Sequence, residues 1–171
     1  GYIPSQDTWI DKNNPSVSHA ADSQLHVRPS GQVDKIALIQ FDLSSILPGS
    51  SIISAALYIY DESGRSFPID LHRITQAWDD DTVSWATAPT YDPAVMGSLQ
   101  LSGTVCAHGA YLDLSIISDW VINPAGNFGM ILYPPGGNGD AAISSMEGSM
   151  PPKLVIEFIP PGSQTLSLLD T

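Results

Sequence analysis

"IALIQFDLSSILPGSSIISAALYIY", residues 36–60, decides the fold. In its first third Ala37, Ile39, Phe41 and Leu43 share one face, with Gln40 and Asp42 on the other. That period of two belongs to a strand and not to a helix. "SSILPGSS" then turns the chain, with Pro48-Gly49 at its centre. The second run puts Ile53, Ala55, Leu57 and Ile59 on one face and Ser54, Ala56, Tyr58 and Tyr60 on the other. Two strands joined by a tight turn, each with one apolar face, are half of a layer that needs a second layer to cover it.

The same pattern recurs outward from this stretch. "FPIDLHRI" (67–74), "FGMILY" (128–133) and "KLVIEFI" (153–159) read as further strands, the last alternating Leu154, Ile156 and Phe158 with Val155, Glu157 and Ile159. One segment differs. In "DLSIISDWVIN" (113–123) Leu114, Ile117, Trp120 and Val121 fall at helical spacing; Asp113 or Ser115 can cap the start, and Asn123-Pro124 ends it. With 14 Gly and 14 Pro in 171 residues there is little room for longer helices. The expectation is an all-β chain, a two-sheet antiparallel sandwich of Greek-key or jelly-roll type with one short helix.

The charge narrows the partners. Six Lys+Arg stand against 18 Asp+Glu, a formal net charge of −12, with no basic cluster. Such a field repels nucleic acid and anionic surfaces, and disfavours acidic polysaccharide. Neutral glycans, cations and copies of the chain itself remain. Cys106 is the sole cysteine, so no disulfide forms within the chain. No apolar run is long enough to insert across a bilayer. The opening GYIPSQDTW, without Met or an apolar leader, reads as a processed chain and leads to the expectation of a secreted, extracellular or cell-surface protein.

Five blocks in this order resemble the DNRLRE family, the disaggregatase-related repeats, which has relatives among carbohydrate-binding modules. They are "DTWID" (7–11), residues 37–60, "RITQAWDDDTVSWATAP" (73–89), "YLDLSIISDWVINPAGNFGMILYPP" (111–135) and "ISSMEGSMPPKLVIEF" (143–158). The third block is specific: Trp78, Asp79, Thr82, Val83, Trp85 and Pro89 meet the family pattern. The resemblance implies a non-catalytic extracellular sandwich over residues 1–159, often found beside polysaccharide-degrading domains. One branch is similar to modules that hold alginate on a basic face. Lys12, Lys35, Lys153, Arg28, Arg65 and Arg73 do not amount to such a face.

Candidate chemistry is sparse, and no enzyme is expected. Asp79, Asp80 and Asp81 are adjacent, lack the spaced oxygens and glycine of a calcium loop, and read as a charged turn leading into a strand. "PPGGNGDAA" (134–142) reads as a hairpin loop. "DTWIDKNNPSVSHAADS" (7–23) reads first as a solvated loop, within which Asp7, Asp11 and Asp22 are the candidates for holding calcium; no other cofactor is expected. The four histidines show no paired ligand spacing. Cys106 and His108 would share one face of a strand, without other signs of an activated thiol.

Two features carry functional expectations. Residues 160–171 extend past the sandwich, and Leu166, Leu168 and Leu169 give a short strand signal that would add to a neighbouring copy. Repeated head-to-tail, that contact builds a filament, and a self-assembling homo-polymer is the first expectation. The alternative is a module for neutral polysaccharide, with Tyr58 and Tyr60 as an aromatic strip on the face away from the core. Whether that strip is open or lies beneath a loop or the helix, sequence leaves undecided.

Overall fold

The structure is a computed structural model and describes residues 1–29 and 31–163; Leu166, Leu168 and Leu169, with the expected terminal strand, lie outside the described residues. The described residues form ten strands: β1 (Gln6–Asp11), β2 (Gln24–Val27), β3 (Lys35–Gln40), β4 (Ser51–Asp61), β5 (Pro68–Ile74), β6 (Tyr91–Gln100), β7 (Cys106–Tyr111), β8 (Met130–Tyr133), β9 (Ala141–Ser144) and β10 (Lys153–Ile159). An α-helix, α1 (Leu114–Ile122), the one among the described residues, lies between β7 and β8. The first sheet has the order β1-β3-β8-β5-β6; the second runs β10-β4-β9-β2, with β7 also on β4. All pairings are antiparallel. This is the expected sandwich.

Only the β5–β6 and β9–β10 connections stay within one sheet; the others cross the sandwich. The crossings follow from burial. Each inner face must be covered by the other, and Leu57, Ile59, Ile39, Leu71, Leu132 and Ile143 meet in the gap between the sheets. Helix α1 closes the same core with Ile117, Trp120 and Val121. Its cap is Asp113, whose side chain accepts from the Ser115 N–H at 2.8 Å.

Several local expectations change. Strand β3 is buried on both faces: Ala37 and Ile39 point to the main core, while Ile36 and Leu38 join Ile10, Ile74, Val83 and Ile131 in a second cluster outside the first sheet. Half-buried Trp78 and Trp85 roof that cluster, and the Trp78 Nε1–H donates to the Phe128 carbonyl at 2.8 Å. The residues after the aspartate run are therefore not a strand. They turn at Thr82 and form a short 3-10 helix at Trp85–Thr87, so that the segment lies over the sheet as a lid.

Ile53 is 48% exposed rather than core. It occupies a bulge: Ser54 faces Glu157 and Ile52 faces Phe158, leaving Ile53 without an opposite residue. The glycine-rich 134–140 stretch is not a hairpin loop, because β8 and β9 belong to different sheets. Asp7 and Asp11 are not in a loop but on β1. Strand β6, missed in the sequence, carries Pro93, shifts register twice against β5, and lies at the edge of its sheet, where proline is tolerated.

Candidate functional site

The outer face of the second sheet is assembled by register. Alternation along β4 sends Ala55, Leu57 and Ile59 into the core and leaves Ala56, Tyr58 and Tyr60 outward. Tyr58 pairs with Lys153 of β10 on one side and Gly109 of β7 on the other, so β4 is flanked along both edges here. Ala56 lies opposite Val155 and Tyr111, and Tyr60 lies opposite Ala107. Tyr60 and Tyr58 are one pleat repeat apart, about 6.7 Å along the strand. Tyr111 continues the row one strand over and one repeat further, so the three rings run obliquely across the sheet.

These rings are available. Tyr111 is 80% exposed and Tyr58 44%, while Tyr60 is half-buried. Helix α1 does not cover the strip: it turns Ile117, Trp120 and Val121 into the main core and leaves Tyr58 and Tyr111 exposed. The glycine at position 109 sets the pose of Tyr58: a Cβ there would stand 2.8 Å from Tyr58 Cε1 and 3.1 Å from Cδ1. The Cδ1–Cε1 edge of the ring thus occupies the space that a side chain at position 109 would fill. A depression of about 390 Å³ between Tyr58, Tyr60, Met150, Pro151 and Lys153 lies to one side of it, and one of about 200 Å³ lined by Ala56, Gly109 and Tyr111 to the other. Flat rings offer a surface to the C–H face of a sugar, while phenol hydroxyls and the Lys153 ammonium can meet its hydroxyl groups. Sequence reasoning found Tyr58 and Tyr60 by alternation. It missed Tyr111, because "GTVCAHGAY" carries only a short, glycine-interrupted strand signal.

A second cleft, of about 490 Å³, opens over the first sheet between Trp85, Tyr91, Tyr133, Ile10 and Ile36. Its rings hold one another: Tyr91 and Tyr133 stand 6.4 Å apart, with His72 5.5 Å and 5.8 Å from them. Burial, then Tyr133, pushes the Tyr91 phenol up from its ordinary range. Trp85 and Tyr133 also pack on the second cluster, so their presence is explained by the lid.

The acidic candidates separate. Asp11 accepts from the Asn13 N–H at 2.9 Å and Asn14 Nδ2 at 2.7 Å; burial works against ionisation, but these bonds outweigh it and hold the carboxyl below its usual range. Asp22 accepts from Trp9 Nε1 at 3.0 Å and lies 3.1 Å from His19 Nδ1. Asp7 is buried and accepts from the Met146 N–H at 2.8 Å. Burial, together with Glu147 and Asp80, pushes it up to about 7 despite that bond. The expected trio thus does not share one site. The Asp79, Asp80 and Asp81 carboxylates do approach, with oxygens within 4.8 Å of one another. Burial, then Asp81 and Asp79, raises Asp80. Cys106 Sγ and His108 Nε2 are 3.5 Å apart on β7, as alternation predicts.

A comparison with curated proteins finds no match. The model of carbohydrate-binding module family 96 matches residues 1–158, which takes in every strand but the last residue of β10. Of the relatives implied by the sequence resemblance, the match falls on the carbohydrate-binding side. The chain belongs to carbohydrate-binding module family 96.

Proposed function

We propose that the protein binds a neutral polysaccharide across the outer face of β7, β4 and β10, with the sugar chain running along Tyr60, Tyr58 and Tyr111. The observation that carries this reading is the Tyr58 ring laid over Gly109, next to a tyrosine that is 80% exposed. A row of tyrosines that reaches solvent on an outer sheet face is the kind of surface kept for a ligand. Six basic against 18 acidic side chains support a neutral rather than an anionic glycan. The family is one of binding modules, which supports a non-catalytic role. An extracellular location goes with a ligand of this kind. Self-assembly through the tail rests on Leu166, Leu168 and Leu169 alone, and no observation on residues 1–163 favours it.

The test is affinity electrophoresis through gels containing a β-glucan, a xylan or a mannan. Retardation by at least one of them is expected, and its loss in a Tyr58→Ala, Tyr111→Ala double variant that melts like the parent. Retardation that survives there but disappears in Tyr91→Ala would move the site to the cleft over the first sheet. No retardation in any neutral gel would overturn the reading.

A further inference from the structure

The cleft over the first sheet holds one ring that packing does not explain. Trp85 and Tyr133 rest on the second apolar cluster, but Tyr91 does not belong to it and is 40% exposed. Its position is nonetheless fixed. The pairing of β6 with β5 shifts register on both sides of His72, and irregularities of this kind at a sheet edge re-aim side chains. His72 is buried, with Nδ1 3.1 Å from both the Asp92 and the Ala94 carbonyls, and its ring stands 5.5 Å from that of Tyr91.

The rest of the cleft is equally fixed. Its floor crosses three neighbouring strands, with Ile10 on β1, Ile36 on β3 and Tyr133 on β8. Trp85 and Ala88 of the lid form one wall. The lid is tied at both ends: the Ala86 N–H donates to the Pro15 carbonyl at 2.9 Å, and the Thr75 N–H donates to the Thr90 carbonyl at 2.9 Å. The polar groups on the rim are unspent. Gln32 Oε1 accepts from Lys12 Nζ at 3.1 Å, which leaves the Gln32 amide hydrogens to donate. The indole N–H groups of Trp9 and Trp78 have acceptors, whereas that of Trp85 has none among the described residues. No lining residue is charged, so an ionic ligand would shed its hydration for no partner.

We propose that this cleft is a second saccharide site, taking about one or two sugar residues at the end of a neutral glycan chain. At about 490 Å³ it lies in the lower half of the range for small-molecule sites, about 300–1,000 Å³. That is room for a short saccharide and not for a polymer laid lengthwise. Tyr91, Tyr133 and Trp85 present rings to sugar C–H groups, while Gln32, the Trp85 N–H and the phenol hydroxyls meet its hydroxyl groups. The tyrosine strip lies on the outer face of the other sheet, so one molecule would hold one chain along its flank and the end of another. The assignment rests on the ligand class of the family and not on the tyrosine strip.

The experiment is titration of the protein with xylotriose, cellotriose and mannotriose, followed by tryptophan fluorescence. The depressions beside the tyrosine strip are lined by no tryptophan, so the signal reads the cleft. A saturable change with at least one trisaccharide is expected, with a midpoint on the order of millimolar. Tyr91→Ala should move that midpoint up by at least about tenfold, and the Tyr58→Ala, Tyr111→Ala double variant should leave it in place. If Tyr91→Ala does not melt like the parent, Gln32→Ala, a change at an exposed side chain, decides instead. No change with any of the three sugars would overturn the proposal. So would a change that keeps its midpoint in Tyr91→Ala, or one that disappears in the double variant. Retardation in polysaccharide gels, where long chains offer few ends, reports on the tyrosine strip separately, so each site can fail without the other.

Discussion

The Tyr58 ring rests on Gly109, the residue directly opposite it on β7, and would collide with any side chain there. Gly109 is not among the glycines with left-handed backbone, so alanine fits the main chain and only the ring must move. Gly109→Ala is expected to lift Tyr58 off the sheet and weaken polysaccharide retention by roughly tenfold, equivalent to about 1.4 kcal/mol. Chemical denaturation should place its stability within about 1 kcal/mol of the parent. Retention equal to the parent's would mean that the pose of this ring does not matter.

Tyr111 offers the reverse case, a large side chain with almost no packing to lose. Tyr111→Ala should leave stability within about 0.5 kcal/mol, as surface changes usually do. Retention on the same gels should nonetheless fall. A variant that loses stability but not retention would reassign Tyr111 to the fold.

Asp140 joins the two sheets electrostatically, with His26 of β2 on one side and Lys35 of β3 on the other. Burial alone would raise its pKa, but the bonds from His26 and Lys35 prevail and lower it to about 2. The folded value lies below the unfolded one, so the contribution to stability is full above about pH 4 and fades as pH falls towards 2. Asp140→Asn should cost about 1 kcal/mol near neutral pH, after allowance for solvent screening, and close to nothing at pH 2. Urea titrations of both proteins across this range check the sign.

Val83 separates the two readings of the aspartate run. It is 3% exposed beneath the lid, whereas Asp81 beside it is in solvent. Val83→Ala should cost about 1–2 kcal/mol, while Asp81→Asn stays within about 0.5 kcal/mol. Equal effects would mean that the segment is held by its charges rather than by its apolar residues.

Helix α1 has one capping side chain to lose. Asp113→Ala should cost about 1 kcal/mol, read from the unfolding midpoint, because the Ser115 N–H would lose its side-chain acceptor.

Alternation was a sufficient guide where a strand has one wet face. It placed Tyr58 and Tyr60 outward and Leu57 and Ile59 inward, and the cap at Asp113 was readable from residue type. It was insufficient for β3, because Ile36 and Leu38 face a lid that comes from forty residues further along, and a period of two says nothing about what covers the second face. Ile53 escaped for a related reason: a bulge adds a residue without a mark in composition. Asp7 looked like one member of a loop of ligands, yet its relevant neighbours are Glu147 and Asp80, which only the closed sandwich brings near. Tyr111 was hidden by glycine, the residue that leaves room for Tyr58.

The crossings between sheets also bear on how the chain reaches its native state. Gln24 pairs with Ser144, Lys35 with Asp140, and Tyr2 with Leu154, so these N-terminal residues find partners more than a hundred residues further along the chain. Loops of that length must close before their contacts return any energy, which places such topologies among the slow folders, on the order of milliseconds to seconds. A chain synthesised only as far as β7 would carry β1 and β3 without β8, and β2 without β9. During that interval its apolar strand edges stay unpaired, and it is then, rather than after folding, that the protein is most open to association with others.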